Sequence, residues 1–181
     1  TIIINGPISI NDLAGPILFN HNECYGGDFG FYVSALTLGT NSHIEANDNY
    51  FEGQVYAPIR IEVGSVSNAD NGWTGSVSRN TIRKPVGTGY SNAIWLRNAR
   101  DVVADDNTVN APAGFYSQGI YVEGAGSRNV QANGYKETPG ATSVAKVVFA
   151  TGTGHTSDAI VSVEPTVQTT AVVGGAITLS S

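Results

Sequence analysis

Asparagine recurs in this chain at a spacing that few folds accommodate. Asn22, Asn49, Asn80, Asn107 and Asn133 are separated by 27, 31, 27 and 26 residues. Each lies in a segment of similar pattern: Phe19 to Cys24 (FNHNEC), Ala46 to Phe51 (ANDNYF), Val77 to Ile82 (VSRNTI), Ala104 to Val109 (ADDNTV) and Val130 to Tyr135 (VQANGY). An apolar or small residue opens each segment, the Asn stands three places on, and an apolar residue closes most of them. A period of roughly 20–50 residues marks an architecture of stacked repeats. One such unit cannot bury its apolar side alone and must lie on copies of itself.

Downstream of the first four Asn a second apolar run follows, opened by Gly, Pro or Ala: Gly30 to Val33, Pro58 to Val63, Ala93 to Arg97 and Gly119 to Glu123, with Val144 to Phe149 as a fifth of less certain register. These runs alternate with period two, the mark of a half-buried strand. Gly, Asn, Thr, Val and Ile crowd the same windows, and all are mediocre or poor helix formers.

Together the two periodicities predict an all-β chain, a right-handed parallel β-helix of about five coils stacked at roughly 4.8 Å. Phe31, Val33, Ile59, Ile61, Ile94, Leu96, Ile120 and Val122 are expected to face inward on one side, and Phe19, Ala46, Val77, Ala104 and Val130 on another. The repeated Asn fits a corner, because it tolerates left-handed backbone and its amide can bond from coil to coil. The polar stretch from Glu62 to Gly75 is predicted to be a surface loop. Beyond about Ala150 the Asn repeat stops, and the runs Ala159 to Val163, Thr170 to Val173 and Ala176 to Leu179 are expected as short strands. The expected division is a solenoid over 1–150 and a small C-terminal β-rich capping or oligomerisation segment over 151–181.

Composition narrows the partners. Of 181 residues 41% are hydrophobic and 13% charged, which suits a folded chain, and the 22 glycines follow no collagen period. A net charge of −6 without a run of Lys or Arg argues against nucleic acid. No apolar stretch approaches the roughly 18 residues of a membrane span, so no membrane insertion is expected. Cys24 is the single cysteine and excludes an intramolecular disulfide; with no Met and with Thr at position 1, a fragment or processed chain is expected. His21, His43 and His155 show no metal-ligand spacing, so neither metal nor cofactor is expected. His155, Ser157 and Asp158 stand too close in sequence for a catalytic triad.

If the isoleucines face inward, alternate residues face out. Tyr32, Arg60, Trp95 and Tyr121 then form one row, with Lys146 a doubtful fifth, and Ser34, Glu62, Arg97 and Glu123 form the next. Tyr32, Arg60, Trp95, Arg97 and Tyr121 are the candidate substrate-binding residues, since rings and guanidinium groups in line suit sugar rings and hydroxyls. A subunit-packing face and ordinary surface are the alternatives. Glu62 and Glu123 are the candidate catalytic pair, but two coils set them at roughly 10 Å, beyond the inverting range of glycoside hydrolases. Arg97 between them suits salt bridges better.

The Asn corners and the Gly-Ile or Ala-Ile strands over roughly residues 15–150 resemble the right-handed parallel β-helix group that includes pectate-lyase-like enzymes and bacteriophage tailspike proteins. The charge-poor C-terminal segment is most similar to a tailspike. That resemblance implies a homotrimeric receptor-binding protein of the virion, or otherwise extracellular, that recognises a bacterial surface polysaccharide and in one version depolymerises it. A secreted polysaccharide lyase or hydrolase, and a non-catalytic structural or adhesive solenoid, remain open. The calcium cluster and basic residue of the lyases map onto no residues here.

Overall fold

The computed structural model describes residues 8–9, 16–35, 42–65, 67, 72–86, 90–137, 145–159, 161–163, 168–172 and 176–178. Among them there is no helix, and every sheet but one is wholly parallel. The chain is a parallel β-solenoid with three walls. The first wall orders Ile8–Ser9, Phe31–Ala35, Ile59–Val63, Tyr90–Arg97, Tyr116–Glu123, Ala145–Phe149 and Val161–Val163 side by side. The second orders Ile17–Leu18, His43–Glu45, Trp73–Ser76 and Ala99–Val103, and the third Glu23–Tyr25, Tyr50–Glu52, Thr81–Arg83, Thr108–Asn110 and Lys136–Glu137.

About four complete coils are present among the described residues, where the Asn count predicts about five. After Ala99–Val103 the second wall is continued only by isolated bridges, Arg100 to Arg128 and Val103 to Gln131, so the next coil lacks a full strand there. Of the predicted loop, residues 66 and 68–71 lie outside the described residues, as do Val144, Ile160, Val173 and Leu179 of the predicted strands. Past Ala150, Val161–Val163 pairs in parallel with Ala145–Phe149. Gln168–Val172 pairs in parallel with Thr153–Ser157 and antiparallel with Ala176–Thr178.

Inward positions stack by type. Phe31, Ile59, Ile94, Ile120 and Val147 share one register, and Val33, Ile61, Leu96, Val122 and Phe149 the next; all are buried. Burying each such side chain is worth about 1.5–3 kcal/mol. Phe19 stacks on Phe31 at 4.5 Å between ring centroids and joins the same core. The strand-opening glycines have a packing cause: a Cβ at Gly30 would lie 2.2 Å from the Phe51 ring, and one at Gly119 2.2 Å from the Tyr135 hydroxyl. Cys24 sits in this core as a free thiol that burial pushes up to about 11, which makes it a structural residue.

The corner is held by two columns of polar side chains. In the first, the backbone N–H and side-chain amide of Asn22 both donate to Asn49 Oδ1, Asn49 donates likewise to Asn80, and Asn80 to Asn107, at 2.9–3.1 Å. The same amides also donate to backbone carbonyls, Asn49 to Phe19, Asn80 to Ala46 and Asn107 to Val77. Asn49, Asn80 and Asn107 are buried. The second column lies two residues earlier in each coil and points its bonds the other way. There the N–H of Asn47 donates to Asn20 Oδ1, Ser78 to Asn47, Asp105 to Ser78, Asn133 to Asp105 and Asp158 to Asn133.

Two sequence expectations change here. Asn133 belongs to the second column, and Tyr135 takes the place aligned with Asn107, because Thr108 pairs with Lys136. By the same shift Ala132, rather than Val130, aligns with Ala104. The left-handed residue is also the one before the Asn, with φ of 59°, 58°, 57° and 56° at His21, Asp48, Arg79 and Asp106, and in the last coil it is Gly134, before Tyr135, at 64°. That residue turns the chain and points outward, which leaves the Asn side chain inside to bond its neighbours.

His155 is fully buried in the second wall, stacked on Phe149 at 4.6 Å. Its Nδ1 accepts the Val130 N–H at 3.1 Å and its Nε2 lies 3.1 Å from the Thr151 carbonyl, so the ring is neutral with the proton on Nε2. Ser157 Oγ donates to the Ala132 carbonyl, so these residues are engaged structurally.

Two predictions follow from the corner and the core. Asn80→Ala should lower the unfolding free energy in urea by about 3 kcal/mol or more, since it strands buried partners on both neighbouring coils, whereas half-buried Asn133→Ala should cost about 1 kcal/mol. Equal losses would contradict the division between the columns. Burial lowers the His155 pKa from 6.5 to about 4. Between those values the unfolded chain binds the extra proton, so stability should fall as pH drops through that window, by on the order of 3 kcal/mol. Urea midpoints of His155→Phe should be flatter over the same window.

Candidate functional site

Because alternate residues of the first wall fill the core, their neighbours stand outward in fixed rows. Tyr32 pairs with Arg60, Arg60 with Trp95 and Trp95 with Tyr121; Ser34 pairs with Glu62, Glu62 with Arg97 and Arg97 with Glu123. The residue in register with Tyr121 on the next strand is Val148, not Lys146, so the polar row ends there on a buried apolar side chain.

The two rows are stitched into one network. Arg60 Nη2 donates to Glu62 Oε1 at 2.8 Å, and Arg97 Nη2 lies 3.0 Å from the same oxygen. The Tyr32 hydroxyl, whose pKa burial raises above the ordinary value, donates to Glu62 Oε2 at 2.9 Å. Arg97 also reaches Glu123 Oε1 through Nε at 2.9 Å and Nη2 at 2.8 Å, and Trp95 Nε1 donates to that oxygen at 3.0 Å. Side-chain exposure is 18% for Arg60, 9% for Glu62, 21% for Arg97 and 15% for Glu123, so the ion pairs are largely shielded from water. Removing one partner of a pair this shielded costs more than doing so at the surface, because it leaves a charge without compensation away from water.

Planar groups stand one behind another along the row. The Arg60 guanidinium carbon lies 4.2 Å from the Trp95 ring centroid and 5.4 Å from that of Tyr32, and Tyr121 meets Trp95 edge to face at 6.1 Å. Arg60 therefore covers a face of Trp95, and the indole offers less open ring than its outward register alone suggests. Two further aromatics extend the surface: Phe29 packs on Tyr32 at 4.7 Å and on Tyr56 at 5.5 Å. Sequence periodicity misses both, because they lie in the turns before Phe31–Ala35 and Ile59–Val63 at unequal distances from the strands. The backbone bond from Tyr56 N–H to the Asp28 carbonyl brings those turns into register.

Comparison with models of protein families, with curated proteins and with solved structures finds no match to this chain. The chemistry of the face therefore rests on its own residues. Arg97 occupies the space between Glu62 and Glu123 in which a water or a glycosidic oxygen would have to sit, and both carboxylates already accept several bonds. A glycosidase pair needs that gap open. No group of three or more His, Cys, Asp or Glu able to hold a metal occurs among the described residues.

Removing the shared cation should expose the tension in the network. Arg97→Met leaves two shielded carboxylates without their bridge and should cost about 2–3 kcal/mol in chemical denaturation. In a double-mutant cycle with Glu62→Gln, the pair should show coupling of about 1 kcal/mol or more; additive losses would contradict the bridge.

Proposed function

We propose that this chain is a tailspike-like receptor-binding solenoid, a right-handed parallel β-helix that assembles as a homotrimer and contacts a bacterial surface polysaccharide through its first wall. The observation that carries the reading is the register of Tyr32, Arg60, Trp95 and Tyr121, with Tyr32 and Arg60 held by Glu62, Trp95 by Glu123, and Tyr121 edge to face on Trp95. A row of planar groups locked before the ligand arrives loses little entropy on binding, the economy that rigid aromatic contact surfaces exploit. Right-handed coiling is in keeping with the strong preference of parallel crossover connections. The C-terminal segment suits a cap, since the antiparallel turn-back from Gln168–Val172 to Ala176–Thr178 cannot add another coil of the same kind.

Binding without cleavage is the version the face supports, given how Arg97 fills the gap between the glutamates. A purely structural face is the second reading, favoured by the ion pairs the network makes within itself.

Affinity for a panel of purified bacterial surface polysaccharides separates the two. Binding of at least one member should be saturable and release no new reducing ends, and Tyr121→Ala should weaken it by about 1–3 kcal/mol with little change in melting temperature. Absence of binding across the panel would leave the structural reading, and reducing ends that disappear in Glu62→Gln would restore catalysis.

A further inference from the structure

We infer that the glycan accepted by the first wall is uncharged; this rests on reading that wall as a glycan contact. Recognition of a uronate or sialate polymer needs cationic side chains whose charge is available to the ligand, as forked contacts from Arg to carboxylate show. Within these two rows the cations are spent internally; Lys146 stands outside them, at the level of Gly119 on the neighbouring strand. Arg60 and Arg97 are matched one for one by Glu62 and Glu123, at 2.8–3.0 Å. The net charge of the two rows is zero, and the chain as a whole carries −6. An acidic sugar would have to displace a carboxylate from a guanidinium group that is about four-fifths shielded from water, and then sit beside the displaced carboxylate.

A neutral sugar meets no such barrier. All the bonds found to Glu123 converge on Oε1, which turns Oε2 into the natural acceptor for a hydroxyl. Tyr121, two residues earlier on the same strand, supplies aromatic surface next to it, and Phe29 and Tyr56 extend that surface along the wall two to three strands away. The same ion pairs thus position the planar groups and exclude polyanions.

The experiment uses the full chain, an array of bacterial surface polysaccharides sorted into neutral and acidic sets, and polygalacturonate as a defined polyanion. Wild type should bind within the neutral set, with affinity changing less than about twofold between roughly 0.05 and 0.5 M salt, and should not retain polygalacturonate. Glu62→Gln/Glu123→Gln, which frees both guanidinium groups, should gain polygalacturonate binding that the higher salt weakens at least about tenfold. Glu123→Gln alone carries the same test, with a smaller gain, if the double variant does not melt cooperatively. Salt-sensitive binding of wild type to the acidic set or to polygalacturonate would overturn the inference and leave the glycan reading standing. No gain in a folded variant would also overturn it. Failure of wild type to bind either set would remove the glycan reading and this inference with it.

Discussion

Everything in this molecule depends on a hydrogen bond that crosses from one coil to the next at the corner. A parallel coil cannot satisfy its own strands, and nothing in a smooth apolar core tells one coil where to stop sliding over another. The amide column from Asn22 to Asn107 supplies that information, because each Asn oxygen takes both the N–H and the side-chain amide of the preceding coil. A slip by one residue would break those bonds and turn every first-wall side chain to the opposite face. The second column, from Asn20 to Asp158, fixes the same register with bonds of opposite direction.

From that register the outer face follows. With Ile59, Ile94 and Ile120 held inward, Arg60, Trp95 and Tyr121 have no choice but to stand in line outside. Side chains one coil apart are close enough to stack and to share ion pairs, so the row assembles its own support. The cost is that a self-satisfied row has little charge to offer, which selects the kind of ligand the face can hold.

The sequence made much of this legible. Four of the five corner asparagines, the inward apolar residues of the first wall and the two outward rows can be read from periodicity, since period two and a repeat near 27 residues are both written in residue type. The fifth corner misleads because polar residues occupy two columns, and Asn133 stands where Asn20 and Asn47 do, not where Asn22 does. The residue with left-handed backbone is hidden for another reason: its type changes from coil to coil, through His21, Asp48, Arg79, Asp106 and Gly134, so no repeat marks it. Contacts made along the solenoid axis, such as Arg60 over Trp95 or Phe29 beside Tyr56, depend on rotamers and turn lengths that periodicity does not encode.

The most direct test of the corner is residue-resolved hydrogen exchange under native conditions. The backbone N–H groups of Asn49 and Asn80 should exchange only through global unfolding, with protection equal to the full stability of the solenoid, while that of Gly134 at the outer turn should exchange through local opening. Exchange of Asn49 and Asn80 as fast as that of Gly134 would mean that the amide column does not hold the coils in register.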